Sequence, residues 1–278
     1  ILLGTGVGVG FASGLLGVGG GFIITPVQYL LFTNMGMSTD IAMKVAFGTS
    51  LLVILPTVAS GAWRHHKKGA VRWKTAISMG ICGFMTAFGG ATLATHLPGA
   101  VLKIVFGVVV LASGIRMLIS KSLKSEQEAK DNPWLWIAWA IPIGLVTGMT
   151  GLGGGVVAVP VMVLALKFKM HDAIATSLAM IIFTSAGGVV GYIINGLGVP
   201  DLPAYSVGYV NLSTWFLLAV TSIGMAQVGA MTAHRLPARQ LKWIFVAAQF
   251  YVALRCLVSL SVWVGRYRQR WENEGSNL

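Results

Sequence analysis

Acidic residues are scarce in this chain of 278 residues: Asp and Glu together number eight. Asp40, Asp131, Asp172 and Asp201, with Glu126, Glu128, Glu272 and Glu274, fall in loops, at helix ends or in the tail, and none lies deep in an apolar segment. An embedded carboxylate is the usual relay in pumps that move protons or sodium, so a cation antiporter of that kind is not expected. Charge of either sign is rare, at 10% of residues, whereas soluble domains carry about 25%. Too few polar side chains remain to cover a water-facing surface. Only two cysteines occur, Cys82 and Cys256, both inside apolar runs and without CxxC spacing, which argues against a redox centre or a thiolate metal site. The five histidines show no ligand spacing either, so neither metal nor cofactor is expected. Strict alternation of apolar and polar residues is missing, which disfavours a membrane barrel. No nucleophile–base pair stands at useful spacing, so an enzyme is not expected.

What is present is apolar length. Hydrophobic residues make up 55% of the chain and mean hydropathy is +0.78. Apolar stretches cover roughly 1–33, 42–62, 75–96, 101–120, 134–166, 173–195, 212–233 and 243–264, and a helical membrane crossing needs about 20 such residues. The net charge of +12 would suggest nucleic acid in a soluble protein. Here the bases, Arg64, Lys67, Lys68, Arg72 and Lys74 among them, sit between apolar segments. That placement fits topology signals and lipid headgroup contacts, not nucleic acid. The tryptophans mostly flank the apolar runs, as an interfacial belt does.

The chain repeats itself. "GLLGVGGGFIITP" at 14–26 returns as "GMTGLGGGVVAVP" at 148–160. "AFGTSL" at 46–51 returns as "AIATSL" at 173–178, and "LPGAVLKIVF" at 97–106 as "LPARQLKWIF" at 236–245. Matches kept in order point to duplication. The expected division is a first membrane repeat over 1–120, a polar linker over 121–133, a second repeat over 134–265 and a polar tail over 266–278.

Each repeat then reads as a glycine-broken segment followed by three ordinary helices. A continuous helix of about 33 residues would run ~50 Å, against ~30 Å for the hydrocarbon core. A re-entrant hairpin absorbs the excess: two short arms meeting at the glycines. If the segment turns back, each repeat crosses three times and the second is inverted. If it passes through, the repeats are parallel. With the 64–74 loop placed in the cytoplasm, inversion leaves more Lys and Arg inside, which favours it. The expected fold is an all-α integral membrane protein of two repeats, inverted, each a hairpin plus three transmembrane helices.

Paired breaks at matching points of two repeats are the sequence mark of a transporter binding site. Gly17, Gly19, Gly20 and Gly21, matched by Gly151, Gly153, Gly154 and Gly155, would expose successive backbone N–H groups as an anion nest. The helix that follows each run adds the positive end of its dipole. The expected ligand is a small anion. The hydroxyls of Thr49, Ser50, Thr176 and Ser177 are candidate donors to it, and Arg255, well inside the last apolar run, is a candidate oxyanion clamp. Arg116 lies near Lys121 and reads as a snorkelling base. "GTGVGVG" at 4–10 reads as helix packing. Lys103 and Lys242 read as interfacial anchors.

The paired glycine motifs, the "TSL" tracts, the basic loop after the second helix and the length together resemble the TauE/SafE family, over essentially the whole chain. That resemblance implies a multi-pass protein of the bacterial cytoplasmic membrane that exports sulfite or small organosulfonates such as sulfoacetate. The duplicated glycine runs, in two inverted halves that rock, point to alternating access, with a passive small-anion channel as the alternative. In this sequence "RHHKKG" at 64–69 corresponds to uncharged "YIINGLG" at 192–198, so any role of that loop is not symmetric.

Overall fold

The computed structural model describes residues 2–119, 132–251 and 254. The chain order is α1 (Leu2–Leu16), α2 (Gly21–Asn34), α3 (Thr39–His66), α4 (Trp73–Thr95), α5 (Gly99–Ile119), α6 (Pro133–Thr150), α7 (Gly155–Leu164), α8 (Met170–Gly196) and α9 (Leu212–Ala233), with a further helical stretch over 238–251. Between α8 and α9 a small antiparallel ladder pairs β1 (Ser206–Val207) with β2 (Val210–Asn211).

Local signals set several ends. The Ser38 side chain accepts from the Ile41 N–H at the start of α3. Asn132 accepts from the Trp134 N–H, with Pro133 as the first residue of α6. Asn211 accepts from the Thr214 N–H at the start of α9. These are N-caps that satisfy donors a helix start leaves free. Pro26 in α2 and Pro160 in α7 fall at the same position of their helices.

Six helices are long and apolar enough to cross a membrane: α3, α4, α5, α6, α8 and α9. α6, read above as one arm of a broken segment, thus has the length of a span, with 18 residues. The last apolar run, 243–264, extends beyond the described residues. α1 and α7 are shorter, at 15 and 10 residues.

α3 and α8 form the centre: 72% and 78% of their spans are buried, against 39–44% for the other four. They cross antiparallel, with Gly48 beside Tyr192, Leu51 beside Gly188 and Gly61 beside Leu178. Around them the two halves exchange helices. α1 runs alongside α9 in the same direction: Gly6 meets Leu218 and Thr221, Gly14 meets Ala226 and Ala230. α3 also runs with α9, through Leu52–Trp215 and Thr57–Ser222 hydrogen bonds. α4 runs with α6, where Gly144 meets Gly83 and Gly148 meets Ala87 and Ala91, and with α8, where Gly187 meets Phe84. So α1, α3 and α9 point one way, and α4, α6 and α8 the other.

Close approach explains much of the glycine content. A β-carbon on Gly10 would lie 2.2 Å from the Ser222 carbonyl oxygen, and one on Gly148 2.0 Å from that of Ala87. Such small-residue seams let membrane helices pack backbone to backbone. Of the tract at 4–10, Gly6 and Gly10 pack in this way, while Gly4 and Gly8 face open space. The outer faces are apolar instead: Ile77, Ile81 and Met85 on α4, Ile104 and Val108 on α5, Phe216 and Val220 on α9 are exposed. Exposed apolar surface on this scale suits lipid.

Candidate functional site

The two glycine runs are turns. α1 stops at Leu16 and α2 starts at Gly21; between them Gly17, Gly19 and Gly20 have φ of +71°, +78° and +80°. The second run copies the first, with +66°, +76° and +90° at Gly151, Gly153 and Gly154. A side chain in that region costs ~1–2 kcal/mol per residue, so glycine is required for the reversal. The chain folds back at once. Gly20 lies against Val9, halfway down α1, and Gly154 lies against Thr147 and Ile143 of α6. The return arm α2 then runs antiparallel to α3, with Gly19 beside Ile54 and Val58 and Thr25 beside Ser50.

The two turns meet. Gly155 sits on the Gly17 carbonyl and the Val18 Cα, and Gly21 on the Gly151 carbonyl and the Leu152 Cα. Gly19 and Gly153 both face Ile54 and Ile181, the central residues of α3 and α8. The arrangement is pseudo-two-fold, and a β-carbon at Gly155 or Gly21 would approach these backbone atoms to 2.3 or 2.6 Å. Among the described residues, the N–H groups of Val18 to Gly21 and of Leu152 to Gly155 donate to no protein acceptor. The N-terminal ends of α2 and α7 therefore converge with free donors at the middle of the bundle. Such donors offer partial positive charge with no neighbouring acid to neutralise it.

The hydroxyl pairs are already engaged. Thr49 accepts from the Asn211 N–H at 2.9 Å and Thr176 from the Arg72 N–H at 3.1 Å. Ser50 donates to Gln28 Oε1 at 3.1 Å and shares a contact with Thr25. Ser177 donates to the Gly17 carbonyl at 2.8 Å. Only Ser177 touches a turn, and it grips the carbonyl side. In the described structure the pairs position the turns and loops. Arg255 lies outside the described residues. Arg116 is exposed at the end of α5, as snorkelling requires. Lys103 is buried to 7% exposure, with its ammonium 5.0 Å from the Tyr29 ring centroid, so it is not a surface anchor.

Other groups at the site escaped the sequence reading. Gln28 is fully buried and its Nε2 has no partner; the Ser13 and Ser185 hydroxyls are buried and unpartnered too. An unpaired buried donor is costly, ~1–3 kcal/mol, unless something else uses it. The shoulders of the hairpins are held by another matched pair. His65 Nε2 sits 3.1 Å from the Gly14 carbonyl, and the Tyr192 hydroxyl donates to the Gly148 carbonyl at 2.9 Å. Gly14 and Gly148 correspond in the repeat, but the different residue types at 65 and 192 hid this correspondence.

A bundle of apolar spans with two interlocked breaks at its centre is the architecture of a multi-pass membrane transporter. The comparisons agree in class. The chain belongs to the family described as sulfite exporter TauE/SafE, which it matches over residues 2–256. A probable membrane transporter protein of Methanocaldococcus jannaschii is 29% identical over 244 residues, covering 87% of this chain and 89% of its own. One from Haemophilus influenzae is 28% identical over 247 residues, covering 88% and 92%. The Bacillus subtilis probable membrane transporter YunE is 30% identical over 214 residues, covering 70% and 78%. No solved structure matches the chain. The family and these relatives are described as exporters or probable membrane transporters, not as enzymes.

Proposed function

We propose that this transporter exports small oxyanions of sulfur, sulfite or an organosulfonate such as sulfoacetate, by alternating access. The observation that carries the reading is the meeting of the two glycine turns, with free N–H groups from Val18 to Gly21 and from Leu152 to Gly155. Free N–H donors at two helix N-termini suit an oxyanion and repel a cation. The unpartnered Gln28 Nε2 and the Ser13 and Ser185 hydroxyls supply further donors near the centre. Arg255 is a proposed clamp on the same anion. Ser177 acts by holding the first turn, while Thr49, Ser50 and Thr176 hold a loop or the return arm beside it. The sulfur chemistry rests on the family's description as a sulfite exporter.

The opposite directions of α1, α3, α9 and α4, α6, α8 support reading the halves as inverted repeats around re-entrant hairpins. Rocking of one helix group against the other would then expose the turns to each side alternately. A proteoliposome flux screen with sulfite, sulfate, sulfoacetate and taurine tests the substrate class. Saturable flux of sulfite or sulfoacetate, with taurine excluded when zwitterionic, is the expected result. Flux of none of the four overturns the reading. Unitary currents carried by the same anions in a planar bilayer would replace alternating access with a channel.

A further inference from the structure

Three histidines far apart in sequence meet at the end of the bundle that carries the 64–74 loop. His65 is in the last turn of α3, His171 in the first turn of α8, and His234 follows α9. The His65 and His234 ring centroids are 4.8 Å apart, and those of His234 and His171 are 6.1 Å apart. His65 is fully buried; His171 and His234 are half-buried. The partners fix the tautomers. Gly14 offers His65 Nε2 only a carbonyl, so Nε2 carries the hydrogen. His171 Nε2 likewise faces the carbonyls of Ala233 and Leu236, each at 3.1 Å. His65 Nδ1 is left as a bare acceptor, buried and unpartnered, and His234 Nε2 is buried and unpartnered beside it.

We propose that the His65–His234–His171 cluster is a proton-binding site whose occupation opens this end of the transporter. Protons from the adjoining water would reach the half-buried rings first, and His65 Nδ1 would take one as the rings part. The resulting imidazolium would find cations on the α3 and α9 sides. Arg64 and Lys68 flank it on the α3 side, Arg235 follows His234, and α1 has no titratable residue. Among the described residues the acid of the neighbourhood is Asp172, which is held by Arg72 at 3.6 Å. Burial, then His171 and Lys68, already holds the His234 imidazole below its ordinary value. The packed arrangement thus binds fewer protons than an opened one. It is stable above the ordinary imidazole range and weakens as pH falls below ~6.5.

The opposite end provides the contrast. There Tyr192 makes the equivalent bond to the Gly148 carbonyl, and a phenol has no basic nitrogen to take up a proton at neutral pH. Only one shoulder of the pseudo-two-fold pair is pH-sensitive. Parting α3 from α9 would release Gly14 and with it the first hairpin, α1–α2. The coupling of this event to anion movement rests on the transporter reading above, but its test needs no substrate.

The experiment measures spin-label distances between Lys67→Cys and Arg235→Cys in liposomes, in full-length protein lacking Cys82 and Cys256. Between pH 8 and pH 5 the distribution is expected to shift to longer distances. His65→Tyr repeats the contact of Tyr192 and keeps the bond to Gly14 while removing the proton site. The shift should vanish in that variant and shrink in His234→Gln. Absence of a shift in the parent protein, or the same shift in both variants, overturns the proposal.

Discussion

Individual glycines differ in what they do, and their surroundings say how. Gly20 and Gly154 need φ near +80° to +90° and lie against the outgoing arm, so their role is the reversal itself. Gly21 and Gly155 have ordinary helical angles but touch the opposite turn, so their role is close approach. Gly10 faces the Ser222 backbone and Gly8 faces open space on the same helix. Gly10→Ala should lower stability by about 1–3 kcal/mol through overpacking, whereas Gly8→Ala should be neutral or stabilising by up to ~1 kcal/mol. Thermal unfolding of the two variants in detergent checks the difference. At this scale the sequence located the glycine runs, which the structure places at two turns, but not the partners of the hydroxyls. Repetition of "TSL" located Thr49, Ser50, Thr176 and Ser177 in their helices. It could not reveal that their partners are Asn211, Gln28, Arg72 and Gly17, which come from distant turns of the chain.

Among the elements, the long central helices and the broken segments were legible because each has a signal of its own. Apolar length marks a span, and a glycine run followed by proline marks a break. The length of α6 was harder to read. Its apolar run flows into the glycines without a boundary, so the helix start at Pro133 and its end at Thr150 were not separable from the arm beyond. The β1–β2 ladder left no pattern, since it comprises two residues per strand. The histidine cluster was invisible for a topological reason. His65, His171 and His234 end or begin three different helices, and only the parallel run of α3 with α9, and their antiparallel crossing of α8, brings them together.

For the whole molecule, helix direction carries the most information. α3 and α9 end where α4 and α8 begin, so the 64–74 loop, residue 171 and residue 235 share one side. The start of α3 and the end of α8 share the other. A membrane-impermeant maleimide should therefore label Met35→Cys and Leu197→Cys from one side of an oriented vesicle, and Ala70→Cys and Arg235→Cys from the opposite side. Labelling of Leu197→Cys and Ala70→Cys from the same side would contradict the arrangement. The exchange of α4 and α9 between the halves also means that neither repeat has a packing core of its own. The matched motifs pointed to two halves of similar sequence; they held no sign that each half packs on the helices of the other.

The central claim is that the paired glycine turns bind the transported anion. Its most direct test is the initial rate of sulfite flux in proteoliposomes for Gly19→Ala and Gly153→Ala, each compared with the parent protein. These two positions have positive φ, but an added β-carbon would meet only aliphatic side chains, Ile54, Ile181 and Val58 at Gly19 and Ile54 and Ile181 at Gly153, none nearer than 3.0 Å, so the cost is the strain of the turn, and insertion of each variant is measured beside its flux. Alanine keeps the backbone N–H, but a side chain at positive φ strains the turn by ~1–2 kcal/mol and turns its donors off the anion, and about 1.4 kcal/mol corresponds to a tenfold change. The account predicts at least that fall for either variant, with similar falls at the two sites because the turns act as a pair. Parent-level flux in both inserted variants would contradict it.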